Sequence, residues 1–383
     1  MLLDALRGVA ALLVMCYHVF EAFATSPFDQ RFNHGYLAVD FFFVLSGFVI
    51  GYAYDDRWGK LTTGQFFKRR LIRLHPMVIA GALLGAVTFL IQGSVTWEGT
   101  SVAFEWVMMA LLFSMLLLPV FPGMAAEGRG NGEMFPLNGP SWSLFFEYIG
   151  NILYALFMRR LSTRWLSIFV SLSGIGLLVF ATFFSEYGSL GVGWTMAGNN
   201  FVGGMLRLMF SYSMGLLLSR FFTVQKEKNA PQTSNHSFLL SLLYRLKSQK
   251  IKGVWGWCSL VLIILFAIPY VGNEQHLWLN GLYDSLCVIL IFPTIVWLAA
   301  AGSVSEGKSR TFYKFLGDIS YPVYMVHYPF MYLFYAWVWN NGLTFAQSWH
   351  VAVCVIIVSI ITAYVFLKCY DLPVRKYFNQ SKR

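Results

Sequence analysis

An all-α bundle of membrane-spanning helices is the fold this sequence predicts, and three observations predict it. Of 383 residues, 57% are hydrophobic and only 12% are charged. A water-soluble core cannot hide that much apolar side chain, so lipid must be the solvent of the outer surface. Apolar runs of about 18 residues or more, long enough to cross the hydrocarbon, recur from the first residues to near the last. Lys and Arg gather in the short loops between those runs, where they set orientation. No Ser/Gly-rich linker and no internal repeat divides the chain, so residues 1–383 read as a single domain.

The apolar stretches follow in order at 5–23, 36–54, 77–93, 104–121, 141–158, 165–185, 201–222, 254–272, 281–301, 318–339 and 350–369. If every one crossed, most loop cations would fall outside. Treating 104–121 as a re-entrant or interfacial helix within an outer segment, 94–140, leaves about ten transmembrane helices. The outer loops then hold only Arg31 and Arg129, and both termini are cytoplasmic. Pro119 and Pro122 at the end of that stretch suit a broken helix buried against protein. The first run lacks a basic leader and a small-residue cleavage site, so it reads as a span and not as a signal peptide. In the largest inner loop, 223–253, Leu clusters alternate with Arg245, Lys247 and Lys250 between Phe238 and Lys250, the pattern of a helix lying on the membrane surface.

The net charge of +10 does not imply a nucleic-acid partner, because the cations are spread over topology-setting loops and form no single basic face. The five cysteines (Cys16, Cys258, Cys287, Cys354 and Cys369) lie in or beside apolar spans without CxxC or metal-ligand spacing. Neither a disulfide nor a metal is expected.

Ionisable side chains inside hydrocarbon are costly, so each is a candidate for function, against the alternative that it pairs only to pack helices. Arg7 and His18 are eleven residues apart on the first helix. At 100° per residue they share one stripe, about 16 Å apart, with Arg7 at the inner mouth and His18 in the outer half. Asp40 falls near the outer end of the second span. Glu147 falls about two turns into the span 141–158, with Asn151 on its face. His18, Asp40 and Glu147 are thus expected at one depth, where either carboxylate could serve a histidine acting as a general base. On the inner side, Lys68, Arg69, Arg70 and Arg73 precede a span. They read as a topology anchor or as a phosphate cradle, Arg70 and Arg73 facing one way at i and i+3. Arg207 and His327 are further intramembrane candidates, Arg207 as the partner of a carboxylate and His327, between Tyr324 and Tyr328, for packing or chemistry.

Several of these segments form a pattern. Leu3-Asp4-Ala5-Leu6-Arg7-Gly8, followed ten residues after Arg7 by His18, opens it. Val39-Asp40-Phe41-Phe42-Phe43-Val44-Leu45-Ser46-Gly47-Phe48, Arg70-Leu71-Ile72-Arg73 and Pro140-Ser141-Trp142-Ser143-Leu144 with Glu147 continue it, and Ile319-Ser320-Tyr321-Pro322-Val323-Tyr324-Met325-Val326-His327 is a weaker late motif. In order and spacing the chain resembles the membrane-bound acyltransferase family 3, whose bacterial members O-acetylate sugars and other acceptors outside the cytoplasm. Two features depart from the family pattern. The first motif begins within the first few residues, and a tail of about 14 residues follows the last span, so no attached esterase-like domain is expected.

The resemblance implies a multi-pass protein of the bacterial cytoplasmic (inner) membrane. It implies a cytosolic acyl-CoA donor, most often acetyl-CoA, and an extracytoplasmic carbohydrate or glycolipid acceptor. On that reading Arg7, Arg69, Arg70 and Arg73 hold the donor, and His18 deprotonates the acceptor or carries the acyl group. Glu147 or Asp40 orients the imidazole, while Trp142, Ser143, Arg207 and His327 contact substrate. Trp97, Glu98, Trp106, Glu127, Arg129, Asn131, Glu133 and Asn138 in the outer segment are a mixture of aromatic and polar groups that suits carbohydrate. The alternative class, a secondary transporter or flippase, also fits ten spans with buried charge. It lacks the expected inverted repeat and matched pair of broken helices.

Overall fold

The computed structural model describes residues 2–227, 253–302 and 308–380. Among them the architecture is all helical, with two isolated β-bridges, Val95 to Ser101 and Glu133 to Thr195, and no strand. The principal helices are α1 (Leu2–Glu21), α2 (Ala38–Tyr54), α3 (Thr63–Ile91), α4 (Phe104–Leu116), α5 (Ser141–Leu156), α6 (Thr163–Val179) and α7 (Gly198–Glu227). They are followed by α8 (Val254–Ala267), α9 (Leu277–Leu286), α10 (Phe292–Ala301), α11 (Lys308–Asn340), α12 (Phe345–Phe366) and α13 (Leu372–Gln380). Single π-helical turns extend α6 (Phe180–Phe184), join α9 to α10 (Cys287–Ile291) and join α12 to α13 (Leu367–Asp371).

Seven helical stretches are long and apolar enough to cross a bilayer: Leu2–Glu21, Asn33–Arg57, Thr63–Ile91, Thr163–Phe184, Gly198–Thr223, Leu277–Ala301 and Phe345–Gln380. The other segments expected to cross fall on α5, α8 and α11, of 16, 14 and 33 residues. Like α8, α4 with its 13 residues reaches only about 20 Å, short of the hydrocarbon thickness. It ends where Leu117 turns left-handed at φ 55. The surface-helix expectation for 238–250 lies outside the described residues.

Burial is arranged for lipid. On α12 the buried residues are Ser348, Ala352, Ser359 and Ala363, all small, while Val353, Ile357, Val358 and Ile361 are exposed. Small residues let α12 lie close to its neighbour and leave the branched apolar ones to lipid. The α2–α7 pair carries the principle furthest. A Cβ on Gly47 would sit 2.0 Å from the Tyr212 carbonyl oxygen, and one on Gly215 would sit 2.1 Å from that of Val44. The backbones touch because neither residue has a side chain.

One element starts earlier than its apolar run suggests. The span expected at 77–93 belongs to a 29-residue helix that begins at Thr63, started by a capping box between Thr62 and Gln65. Lys68, Arg69, Arg70 and Arg73 therefore ride on the first turns of this helix, and not in a loop.

Candidate functional site

Arg129 anchors the segment between α3 and α5. Its buried guanidinium donates to the Pro136 carbonyl at 2.7 Å and to Gln92 Oε1 at 2.8 Å, and it lies 3.5 Å from the Tyr332 ring centre. The chain then dips inward. Fully buried Asn138 donates to the Met325 carbonyl, midway along α11, at 2.8 Å. Helix α5 consequently starts inside the bundle.

That starting level decides where Glu147 goes. The sequence reading sets it beside His18 in the outer half. Two turns from a start already in the interior carry it instead to the basic end, where it accepts from Arg70 Nη2 at 2.8 Å and from Ser46 Oγ at 2.7 Å. Asn151, one turn on, donates to the Glu147 carbonyl at 2.8 Å. Asp40 is not beside His18 either. It is wholly buried and bonded to Arg207, with Nη2 to Oδ2 at 2.7 Å and Nε 3.1–3.2 Å from both oxygens. Arg207 also donates to the carbonyls of Val192 and Tyr36 at 2.6 and 2.9 Å. With those bonds it ties α2, α7 and the preceding loop together.

The carboxylate that does meet His18 is Glu21, one turn later on α1. Its Oε2 accepts from the imidazole Nδ1 at 2.7 Å, and the Tyr335 hydroxyl lies 2.8 Å from the same oxygen and from the His18 carbonyl. Nε2 has no hydrogen-bond partner among the described residues. The signal was present in the sequence, since a histidine followed at i+3 by a glutamate pairs on a helix. The reading passed over it because Glu21 stands at the end of the apolar run.

Two cavities surround these groups. The inner one, of about 450 Å³, is lined by Asp4 and Arg7 of α1, Arg70 and Arg73 of α3, Glu147 of α5, Lys314 of α11 and Arg375 of α13, among others. The outer one, of about 310 Å³, is lined by His18, Glu21, Glu133 and Asn131 with Trp97, Trp142, Trp194, Trp339 and several tyrosines. Val39 and Tyr324 line both, so the cavities share a wall. At that wall the Tyr324 hydroxyl is 2.7 Å from Ser143 Oγ, and the Phe42 ring is 5.4 Å from that of Tyr324.

The remaining expected residues divide. Arg7, Arg70 and Arg73 are brought together, whereas Arg69 is exposed and lines neither cavity. Arg69 stands about 100° around the helix from Arg70, on its exposed side. Trp142 lines the outer cavity, with the Arg207 guanidinium 5.2 Å from its ring, and Ser143 lines the inner one. His327 is buried behind His18 with ring centres 5.5 Å apart, its Nδ1 held by the carbonyls of Val323 and Tyr324, and it lines neither cavity. Sequence reasoning missed Glu21, Lys314, Arg375 and the wall-forming Tyr324 as site residues. Glu133 in the outer segment is bonded by the Asn131 amide at 2.8 Å and by the Tyr332 hydroxyl, and burial pushes its carboxyl above the usual range. Among the described residues no cluster of His, Cys, Asp or Glu could hold a metal ion.

Fold and cavities together define a multi-pass helical membrane protein built around a charged interior. The chain belongs to the acyltransferase 3 family: residues 2–368 match its pattern, described as an acyltransferase domain. It is 34% identical over 196 residues to protein 2 in the picA locus of Rhizobium radiobacter, covering 48% of this chain and 95% of that one. It is 30% identical over 163 residues to the acyltransferase MdmB of Streptomyces mycarofaciens, covering 41% of this chain and 38% of the relative. A Staphylococcus aureus (strain COL) protein named provisionally as an O-acetyltransferase is 24% identical over 351 residues, 85% of this chain and 50% of its own. The chain thus spans half or less of the length of these last two relatives. No solved structure matches it. Family membership supports an acyltransferase over the transporter reading.

Proposed function

We propose that this protein moves an acyl group, acetyl being the favoured one, from acyl-CoA at its basic, cytoplasmic end to a hydroxyl of a carbohydrate or other polar acceptor such as a glycolipid at the opposite face. On this reading the chain crosses the bacterial cytoplasmic membrane ten times with both termini inside. The observation that carries it is the shared wall of Val39 and Tyr324, with arginines lining the cavity on one side and the His18–Glu21 pair lining the cavity on the other.

The chemistry follows from the residues. Guanidinium groups at the inner cavity bind phosphate oxygens through charge-assisted hydrogen bonds. A thioester on an extended arm reaches the wall from below, while the acceptor enters above it. Glu21 holds the Nδ1–H tautomer of His18 and stabilises its cation, so Nε2 is the basic nitrogen. Nε2 takes the proton of the acceptor hydroxyl, the oxygen attacks the thioester carbonyl, the C–S bond breaks, and the thiolate leaves to be protonated. An acyl-imidazole intermediate on Nε2 is the other route through the same atoms. The aromatic walls and the Glu21 and Glu133 carboxylates of the outer cavity suit stacking with a sugar ring and bonding to its hydroxyls.

The test is acceptor-dependent release of free CoA thiol by purified protein. His18→Ala is expected to lower the rate by about 10²- to 10⁴-fold, the usual worth of a positioned base, while the variant stays folded in the membrane. Turnover at the wild-type rate would remove His18 from the mechanism.

A further inference from the structure

The match to the family ends at residue 368, yet the inner cavity does not. The π-helical turn Leu367–Asp371 swings the chain from α12 into α13, and two residues of α13, Leu372 and Arg375, line that cavity beside Arg7, Arg70, Arg73 and Lys314. A π-turn inside a helix is frequent at functional sites.

Asp371 is wholly buried, which is costly for a carboxylate unless a cation meets it. Arg375 does so from one turn later, with Nε donating to Oδ1 at 2.8 Å and Nη2 at 2.5 Å from Oδ2. An i,i+4 pair between two exposed side chains would be a solvated surface contact of little consequence. Here the acid is enclosed and the base lines a cavity, so the pair fixes the guanidinium against the cavity wall. Its hydrogen bond occupies one of the five guanidinium N–H groups and its Nη2 contact is ionic, so N–H groups remain for a ligand.

The charge of the cavity tells what ligand that is. Its lining holds five cations, Arg7, Arg70, Arg73, Lys314 and Arg375, against three carboxylates, Asp4, Glu147 and Asp318. Glu147 is matched by Arg70 and Asp4 lies 3.8 Å from Arg7. Arg73 and Lys314 form no ion pair among the described residues. Such a surplus of cations on a concave surface attracts a polyanion carrying several phosphates.

We propose that Arg375 is a further phosphate-binding residue of the donor site, and that Asp371 is the residue that positions it. The donor cavity is thereby completed by a helix beyond the residues that match the family pattern. This inference rests on the acyl-CoA reading and adds to it a residue and an element.

The experiment is equilibrium binding of CoA to the purified full chain in lipid nanodiscs, with donor KM and kcat measured alongside. Arg375→Ala is expected to weaken CoA binding about ten-fold or more and to raise donor KM with kcat little changed, as loss of one charged hydrogen-bond donor to phosphate does. Arg375→Lys recovers part of the loss. Asp371→Asn raises donor KM several-fold, and Asp371→Glu restores part of it, a split that a simple folding defect would not produce. Lys376→Ala, one residue along α13 and exposed, serves as the control for net charge and leaves binding unchanged. If wild type binds CoA and Arg375→Ala binds it equally well, the inference is overturned while the donor reading stands. If wild type binds no CoA, the donor reading fails and takes the inference with it.

Discussion

At the scale of the residue, the carboxylates Asp40, Glu147 and Asp371 each meet an arginine, and one imidazole nitrogen of His18 stays open. Glu21 fixes His18 through Nδ1, so Glu21→Gln keeps the side-chain shape but removes the charge that stabilises the imidazolium. We expect kcat to fall about 10- to 100-fold with donor KM unchanged, because the contact strengthens only as the proton arrives. Equal loss in donor affinity would point to a structural role. Arg70→Ala should do more than weaken the donor. It strands Glu147, which is largely buried, and removing one partner of such a pair costs up to about 3–5 kcal/mol. The double variant Arg70→Ala with Glu147→Gln is therefore expected to melt at a higher temperature than Arg70→Ala alone while remaining inactive. Glu133 supplies a pH dependence. Burial raises its carboxyl, so its ionised form is the disfavoured one in the folded protein. The stability it contributes is present below the ordinary carboxylate range and lost as pH rises through the raised value. Glu133→Gln should accordingly flatten the pH dependence of the melting temperature in that window.

At the scale of the element, close backbone contact sets the spacing of the bundle. The α2–α7 crossing has no room at Gly47, where the nearest atom is a backbone oxygen that cannot rotate away. Gly47→Val is expected to cost well over the 1–3 kcal/mol typical of overpacking and to reduce the yield of extractable folded protein. The same change at Gly59, where nothing lies within 4 Å, should be tolerated, and size-exclusion profiles of the two variants would check the difference. The long apolar helices were legible from the sequence because lipid imposes length and hydropathy directly. Helix α3 was legible only as its apolar half, since its first turns are cationic and its start is set by the Thr62–Gln65 box. The level of α5 could not be read at all. It depends on Arg129 and Asn138 pulling the preceding segment into the bundle, and those are contacts with α3 and α11, far away in sequence. For that reason the arginines of the inner cavity were found and the partner of His18 was misassigned.

At the scale of the whole molecule, α1, α2, α5 and α11 each line both cavities, so the two ends of the protein are joined by the same four helices. On the proposed orientation the basic loops face the cytoplasm. Cysteines introduced one at a time at Lys60 and at Glu98 are expected to react with a membrane-impermeant thiol reagent from opposite sides of intact vesicles. The proposed transfer depends on that sidedness, since donor and acceptor approach His18 from opposite directions in it. The most direct measurement is transfer in sealed proteoliposomes of uniform orientation, with labelled acetyl-CoA confined to the side bearing Lys60 and a sugar acceptor confined to the other. Labelled acceptor should accumulate with wild-type protein, and it should not with His18→Ala or when the two substrates exchange sides. Product formed only when donor and acceptor share one side would contradict the account.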